Sequence, residues 1–178
     1  MHEDLKEIVM LPEGVEASVN SELTVKGPKG ELKRKFPCDV KVVGNQIVIS
    51  AKNATKREKK LVKTSTAHIK NLVTGVTEGY IYRLQICSVH FPMNVKIEGQ
   101  KIIIKNFLGE TKEREAKILP NVEAKIEGDF VKLFSIDKEA AGQTAAGLEA
   151  ITKVKKKDRR IFQDGIWIIE KPGKKFIE

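Results

Sequence analysis

Apolar residues recur at every second position in several short stretches of the chain, and this spacing predicts strands. In the first half, the expected strands are Val15–Val19, Glu22–Lys26, Glu31–Phe36, Val40–Val43 and Gln46–Ala51. Proline and glycine favour a turn at Gly27–Gly30, and Gly44-Asn45 favours a tight hairpin. Residues 1–12 are expected to form a mixed-charge lead-in.

A one-sided apolar stripe of helical period then predicts a long helix from about Thr55 to Val76. The stripe consists of Leu61, Val62, Ile69, Leu72, Val73 and Val76. The first turns of this helix carry the cations Lys56, Arg57, Lys59, Lys60 and Lys63. Cations at a helix start oppose the helix dipole, so these side chains form either a solvated face or contacts with RNA phosphates.

The second half of the chain shows the same kinds of pattern in the same order. Its expected strands are Tyr80–His90, Met93–Ile97, Lys101–Lys105, Thr111–Ile118, Val122–Ile126 and Phe130–Phe134. Asp137 is a good N-cap for a helix from Lys138 to about Val154. Asp164-Gly165 then turns the chain into a last strand at Ile166–Ile169.

The two halves also resemble each other in sequence. Glu22–Glu31 (ELTVKGPKGE) reads like Lys101–Glu110 (KIIIKNFLGE), and Gly30 aligns with Gly109. Each copy continues into a second apolar hairpin and then a helix, and two copies are too few for a solenoid. We therefore expect an α+β fold of two tandem duplicated domains, residues 1–82 and 83–178, each an antiparallel sheet packed with one main helix.

The charge balance indicates a polyanionic partner. Lys and Arg number 33 and Asp and Glu 24, which gives a net charge of +9 and a sequence pI near 9.5. Residues 151–178 hold nine of the bases and four of the acids, so the polyanion-facing surface is expected near the C-terminus. Hydrophobic residues make up 40% of the chain, which favours a packed core over disorder.

Membrane and secreted proteins are disfavoured by the sequence. No stretch approaches the roughly 20 apolar residues of a membrane span, and the N-terminus lacks the basic and apolar regions of a signal peptide. Cys38 and Cys87 show neither metal-binding spacing nor a disulfide framework. We expect two small buried hydrophobes in a cytosolic protein that contacts no membrane.

The sequence contains no signature of an enzyme, a metal site or a cofactor. Gly27–Gly30 lacks the ending of a P-loop, and the serines lack a nucleophile-elbow context. His2, His68 and His90 are far apart, and each is expected to be a structural histidine with satisfied hydrogen bonds. We therefore expect no catalytic residue, no metal ligand and no cofactor.

The second predicted helix is unusual because small residues dominate its middle. Gly142 and Gly147 each cost roughly 1 kcal/mol relative to alanine inside a helix, so another interaction must offset that cost. Close packing of the helix on its sheet is one explanation. The other is close approach of a nucleic-acid backbone, with Gln143 and Thr144 as hydrogen-bond donors.

The strongest functional signal is the sequence KVKKKDRR at Lys153–Arg160, called the basic segment below. Its cations are Lys153, Lys155, Lys156, Lys157, Arg159 and Arg160. We expect the cluster at a helix end, where the dipole favours cations, and beside Phe162 and Trp167, an arrangement that suits phosphate contacts and base stacking. Trp167 itself is expected in the core. Lys171 and Lys174 continue the basic character.

Two motifs in the second half resemble those of a known family. The run Asp137–Ala146 (DKEAAGQTAA) and the ending Lys157–Ile166 (KDRRIFQDGI), together with the tandem repeat, look like large-subunit ribosomal protein six, the L-six family. The resemblance covers residues 11–171. It fits the archaeal and eukaryotic branch, because the Gly/Lys-rich closing segment of the bacterial branch is missing.

The resemblance implies a structural protein of the large ribosomal subunit, ribosome-bound in the cytoplasm. Its implied partner is large-subunit ribosomal RNA near the sarcin–ricin loop and the stalk base, bound mainly through the second domain. Neighbouring large-subunit ribosomal proteins are further partners, and translation GTPases dock close by. The candidate rRNA-binding residues, from this resemblance and from the basic character of the ending, are Gly142, Gln143, Thr144, Ala146, Lys153, Lys155, Lys156, Lys157, Arg159, Arg160, Lys171 and Lys174.

Two rival interpretations make different predictions. A non-ribosomal protein-interaction scaffold would use its charge for solubility only, and it would show no salt-dependent binding to RNA. An enzyme acting on RNA would need a convergent acid–base or metal site, and the sequence offers none.

Overall fold

The computed structural model describes residues 4–52, 54–158 and 160–176, and the chain divides into two compact units, Met1–Gly79 and Tyr80–Glu178. Each unit combines antiparallel sheets with one long helix and has its own hydrophobic core. No helix within these described ranges is long and apolar enough to cross a membrane.

The described part of unit 1 contains six strands and one helix. They are β1 (Leu5–Met10), β2 (Glu16–Val19), β3 (Leu23–Gly27), β4 (Gly30–Arg34), β5 (Asp39–Val43), β6 (Gln46–Ala51) and α1 (Lys56–Thr77). The strands form two antiparallel sheets, ordered β1-β6-β5 and β2-β3-β4. The turns predicted at Gly27–Gly30 and Gly44-Asn45 are confirmed, since they join β3 to β4 and β5 to β6.

Strand β1 corrects the prediction of a lead-in, because Leu5–Met10 pairs antiparallel with β6 along its whole length. Val9 is buried, whereas Ile8 and Met10 are 55% and 63% exposed. Glu7 shares the inner face with Val9. Apolar residues therefore occur on both faces of this strand, and the alternation that normally reveals a strand is hidden.

Helix α1 begins where the apolar stripe predicts it. The Thr55 hydroxyl accepts a hydrogen bond from the Arg57 amide (3.3 Å), and the Glu58 carboxylate accepts one from the Thr55 amide (3.1 Å), which forms a capping box. At the core-facing side of the helix, Val62 and Val76 are completely buried. Five of the six predicted stripe residues, Val62, Ile69, Leu72, Val73 and Val76, are confirmed as the face that packs in the core of unit 1, whereas Leu61 is only half-buried and lies outside that core cluster.

The β3–β4 hairpin packs against the last turn of α1. The Lys29 amide donates to the Val76 carbonyl (3.0 Å), and the Lys29 ammonium donates to the Glu78 carbonyl. A Cβ atom on Gly27 would lie 2.7 Å from Val76 Cγ2 and 2.8 Å from the Val76 carbonyl oxygen. Glycine is therefore required at position 27 for this close approach.

Unit 2 repeats this plan and extends it. Its elements are β7 (Tyr80–Cys87), β8 (Asn94–Glu98), β9 (Lys101–Lys105), a 3₁₀ turn (Phe107–Gly109), β10 (Arg114–Lys117), β11 (Val122–Glu127), β12 (Phe130–Ser135), α2 (Lys138–Ile151), β13 (Gly165–Lys171) and β14 (Lys174–Lys175). Asp137 is the N-cap of α2, as predicted, and its carboxylate accepts a hydrogen bond from the Glu139 amide (2.9 Å).

The strand order demonstrates the duplication. Unit 2 has sheets ordered β11-β12-β7-β13-β14 and β10-β9-β8. Strands β7, β12 and β11 correspond to β1, β6 and β5 of unit 1, and β8, β9 and β10 correspond to β2, β3 and β4. The predicted α+β fold of two tandem duplicated domains is confirmed, and β13 and β14 have no counterpart in the described part of unit 1.

Helix α2 ends at Ile151, which is earlier than the predicted end near Val154. The Thr152 hydroxyl donates to the Leu148 carbonyl (3.0 Å) and accepts a hydrogen bond from the Ile166 amide (2.9 Å). The helix end is thus tied to β13, so the residues that follow leave the helix axis. Strand β7 is also shorter than predicted and ends at Cys87.

Candidate nucleic-acid interface

The basic segment connects α2 to β13 as a loop. All of its lysines are exposed: Lys153, Lys155, Lys156 and Lys157. Val154 lies among them but is buried in the core of unit 2, and Lys156 adopts a φ of +59°. The prediction that these cations lie on the helix end is wrong, because α2 stops at Ile151 and the dipole acts only within the last turn.

One carboxylate organises the second half of the basic segment. Asp158 accepts hydrogen bonds from the Arg160 guanidinium (Nη2, 2.9 Å) and from the Arg160 amide (2.9 Å). The side-chain bond and then the amide bond hold the pKa of Asp158 below its usual value. The Arg160 side chain is nevertheless 90% exposed, so it is accessible to a ligand. Arg159 lies outside the described residues.

An aromatic pair lies beside the basic segment. The rings of Phe162 and His90 are stacked, with centroids 4.7 Å apart and an interplanar angle of 23°. Lys157 Nζ lies 4.4 Å from the centroid of the Phe162 ring, which is within the range of a cation–π contact. The pair therefore orients one lysine of the segment.

Asp164 joins the end of β7 to the start of β13. It is 2% exposed, and it accepts hydrogen bonds from the amides of Val89 (2.8 Å) and His90 (2.9 Å), while its second oxygen lies 2.6 Å from His90 Nδ1. Burial alone would raise the pKa of Asp164, but the bonds from the His90 amide, the His90 ring and the Val89 amide outweigh it and lower the pKa. The structural role predicted for His90 is confirmed.

Of the other two histidines, only His68 lies within the described residues. His68 is half-buried in α1 of unit 1, and His2 lies outside the described residues. Within the described ranges, no group of three or more His, Cys, Asp and Glu side chains is arranged to hold a metal ion.

The inner face of α2 explains one of its glycines. A Cβ atom on Gly142 would lie 2.9 Å from the Tyr82 hydroxyl oxygen, so Gly142 permits close packing of the helix on β7. Thr144 is 2% exposed, and its hydroxyl donates to the Ala140 carbonyl (2.8 Å) and accepts from the Leu119 amide (3.3 Å). The expected role of the Thr144 hydroxyl as a donor to RNA is corrected, because it is buried and already bonded within the fold.

The outer face of α2 is open. Gln143 and Ala146 are exposed, and a Cβ atom on Gly147 would meet no atom within 4 Å. These three residues follow helical spacing, so they share one side of the helix. This side presents little bulk to an approaching partner.

Lys171 and Lys174 lie in the β13–β14 hairpin. Their Nζ atoms are 5.0 Å and 4.9 Å from the centroid of the Phe176 ring, which is 48% exposed. Lys171 is the last residue of the seven-residue strand β13, about 20 Å along the strand from Gly165, and the basic segment ends before that strand begins. The structure therefore distributes the sequence-predicted residues over three places: the basic segment, the outer face of α2 and this hairpin.

Lys155 and Lys156 of the basic segment differ from those surface lysines of unit 2 whose charge is neutralised by a carboxylate. Examples of such neutralised lysines are Lys101 with Glu115, Lys105 with Glu113 and Lys132 with Glu127. Among the residues that the structure describes, no carboxylate forms an ion pair with Lys155 or Lys156. Cations without a protein partner are the ones that an external polyanion can neutralise.

The aromatic residues near these cations were only partly anticipated by the sequence. Trp167 was expected in the core, but the structure shows it half-buried. Its indole Nε1 donates a hydrogen bond to the Gln163 carbonyl (3.1 Å). Phe176 was not singled out, because a lone phenylalanine next to two lysines has no distinguishing pattern in sequence. Its position in a hairpin with them depends on the pairing of β13 with β14.

Comparison with known proteins places the chain in a family. The family model described as "Ribosomal protein L6" matches residues 11–79 and 91–165. A relative from Methanobrevibacter smithii, named "Large ribosomal subunit protein uL6", is 44% identical over 171 residues, which cover 94% of this chain and 96% of that protein. A relative of the same name from Methanosarcina mazei is 42% identical over 175 residues, covering 96% and 99%. One matched segment falls in each structural unit, and the chain belongs to the ribosomal protein L6 family.

Proposed function

We propose that the protein is a structural, non-catalytic constituent of the large ribosomal subunit in the cytoplasm, and that it binds large-subunit rRNA mainly through unit 2. The observation that carries this proposal is the exposed basic segment, in which Lys155 and Lys156 have no carboxylate partner among the described residues. Membership of the family and two archaeal relatives named as large-subunit proteins support it. Neighbouring large-subunit ribosomal proteins are the expected protein partners.

The proposed location is next to the sarcin–ricin loop and the stalk base, close to where translation GTPases dock. The support for this location is the family resemblance of the DKEAAGQTAA and KDRRIFQDGI motifs. In this position, the protein would bind rRNA and would lie near the GTPases without forming part of their active sites.

The proposed binding mechanism is electrostatic and depends on shape. Lys153, Lys155, Lys156, Lys157, Arg159 and Arg160 contact phosphates, and binding releases the counterions condensed on the RNA. The buried Val154 and the Asp158–Arg160 bonds hold the loop in one conformation, so less ordering entropy is lost on binding. Such contacts position the protein on the RNA without reading its sequence.

The other candidate residues have distinct parts in this proposal. Gln143 and Ala146 on the outer face of α2 let an RNA backbone approach, with the Gln143 amide as a donor. Gly142 and Thr144 contribute indirectly, because their contacts within unit 2 set the position of α2 on its sheet. Lys171 and Lys174 add a second phosphate contact at the β13–β14 hairpin.

Sedimentation of native lysate from the source organism through sucrose gradients at low and high salt tests this proposal. We expect the protein to co-migrate with the large subunit at physiological salt and to be released only at high salt. A monomeric peak at physiological salt would refute the ribosomal function and favour the protein-interaction scaffold.

A further inference from the structure

A cavity of about 510 Å³ lies beside the basic segment, and Arg160 is its only lining residue with a part in the binding mechanism above. It is lined by Cys87, Val89, Arg160, Gln163 and Trp167. The antiparallel pairing of β7 with β13 brings these residues together, because it places Gly165 opposite Cys87 and Trp167 opposite Gln85. Its volume lies within the range of pockets that hold small planar ligands.

The indole of Trp167 is a fixed aromatic surface in this cavity. Its Nε1 donates to the Gln163 carbonyl (3.1 Å), which sets the orientation of the ring. A Cβ atom on Gly165 would lie 3.4 Å from the Trp167 ring carbons Cε2 and Cζ2. The absence of a side chain at Gly165 therefore gives the indole room to pack against the backbone. A half-buried and oriented ring loses little entropy when a second planar group stacks on it.

The remaining lining residues complete a polar rim and a neutral wall. The Arg160 guanidinium is held by Asp158 and remains exposed, and the Gln163 amide donates to the Arg160 carbonyl (3.2 Å). On the other side, Val89 supplies methyl groups and Cys87 a thiol. Burial, and then the charges of Asp129 and Asp164, raise the pKa of Cys87, so its thiol is uncharged at neutral pH.

We propose that this cavity binds one unpaired nucleobase of RNA, stacked on Trp167 and contacted at its edge by Arg160 and Gln163. Unstacked bases are recognised by aromatic rings, guanidinium planes and hydrogen bonds to their edges, and all three are present here. The adjacent lysines of the basic segment would bind the phosphates on either side of that base. The inference rests on the proposed function, because it requires RNA on this surface.

The fluorescence of Trp167 tests this inference without a mutation, because it is the only tryptophan of the chain. The full-length protein is titrated with rRNA extracted from purified large subunits, and emission and acrylamide quenching are measured. Heparin, a polyanion without bases, is the reference ligand. We expect rRNA to lower the emission of Trp167 and to protect it from acrylamide, and we expect heparin at saturation to do neither.

Three outcomes overturn this inference alone, and a fourth overturns the proposed function as well. If rRNA binds and leaves the emission unchanged, or if heparin lowers it equally, no base stacks on Trp167. If the emission changes only when large-subunit proteins are added, the occupant is a protein side chain. If rRNA does not bind at all, the proposed function fails together with this inference.

Substitutions then measure the contribution of the cavity. Trp167→Leu is expected to weaken rRNA binding by about 5- to 150-fold, the range for one base stacked on an aromatic ring. Val89→Glu places a carboxylate in the cavity at a residue that is already 66% exposed, and Val43→Glu in unit 1 is its matched control at 63% exposure. We expect weaker binding for Val89→Glu only. Equal affinity of the two glutamate variants would contradict the inference.

Discussion

Units 1 and 2 share one arrangement of six strands and a helix, but they differ at one edge. In unit 1, β1 is an edge strand, and its outer side has no partner strand among the described residues. In unit 2, the corresponding strand β7 is covered by β13, which arrives through the basic segment. The residues after α2 therefore serve two purposes, because they cover the edge of β7 and carry the exposed cations.

The helices of the two units differ in a related way. Helix α1 has 22 residues and a wide apolar face, whereas α2 has 14 residues and small side chains. Helix α1 packs on its unit through large apolar side chains such as Ile69, and α2 packs closely at Gly142 against Tyr82. The two copies therefore differ in both the helix and the sheet edge.

The largest expected effect comes from breaking the link between β7 and β13. Asp164→Ala removes the acceptor of the Val89 and His90 amides and leaves these donors without their partner. We expect a loss of about 3 kcal/mol in the unfolding free energy of unit 2. Urea denaturation followed by Trp167 fluorescence measures it.

Asp129→Ala is the matched control, because Asp129 is an exposed aspartate at the β11–β12 turn of the same unit. We expect its unfolding free energy to stay within about 0.5 kcal/mol of the wild type. Equal stability of the Asp164→Ala and Asp129→Ala variants would show that the Asp164 bonds do not hold β13 in place.

The same carboxylate predicts a dependence of stability on pH. The folded-state pKa of Asp164 is lowered from its model-compound value of 3.8, so its contribution is complete above about pH 5 and is lost as pH falls through the folded pKa. We expect the wild type to lose more stability than Asp164→Ala between about pH 5 and pH 3. If the unfolding free energies of the two proteins change with pH in parallel, the predicted contribution of Asp164 is contradicted.

A smaller effect is expected in unit 1 at the contact between the β3–β4 hairpin and α1. Gly27→Ala places a Cβ atom 2.8 Å from the Val76 carbonyl oxygen, which belongs to the backbone and cannot rotate away. We expect the unfolding free energy of unit 1 to fall by about 2 kcal/mol, as measured by amide hydrogen exchange. In unit 2, the residue that aligns with Gly27 is Asn106, and its backbone adopts the left-handed conformation with a φ of +60°. Unchanged exchange in unit 1 would show that the contact is loose.

The smallest expected effects separate the two glycines of α2. Gly147→Ala adds a methyl group in open space and should stabilise unit 2 by about 0.5–1 kcal/mol. Gly142→Ala gains the same helix propensity but meets the Tyr82 hydroxyl at 2.9 Å, so we expect a net loss of about 1 kcal/mol. Thermal unfolding of the two variants measures this difference. Stabilisation by both would contradict close packing at Gly142.

Local signals in the sequence were sufficient to predict much of the fold. Gly44-Asn45 marks its hairpin, and the apolar stripe of α1 and the N-cap Asp137 mark their helices, because each depends only on nearby residues. Strand β1 was missed because Ile8 and Met10 give its outer face apolar residues. The end of α2 was misplaced because it depends on a bond from distant Ile166 to Thr152.

The candidate site was only partly predictable for the same reason. A run of lysines is visible in any sequence, so the basic segment was found directly. The orientation of Thr144 into the fold is set by Leu119 on another element, which no helical period reveals. The cavity was not found, because Cys87 and Trp167 become neighbours only when β7 pairs with β13.

The measurement that separates the two units most directly is the salt dependence of binding to purified large-subunit rRNA. The variant Lys155→Ala/Lys156→Ala/Lys157→Ala removes three cations from unit 2, and Lys56→Ala/Lys59→Ala/Lys60→Ala removes three exposed cations from unit 1. If about five of the eight candidate cations of unit 2 each neutralise one phosphate, the logarithmic slope of the wild type is roughly −3.5 to −4.5. We expect the unit 2 variant to reduce its magnitude by about 2–3 and the unit 1 variant to leave it unchanged. A slope that changes only in the unit 1 variant would contradict RNA binding through the basic segment.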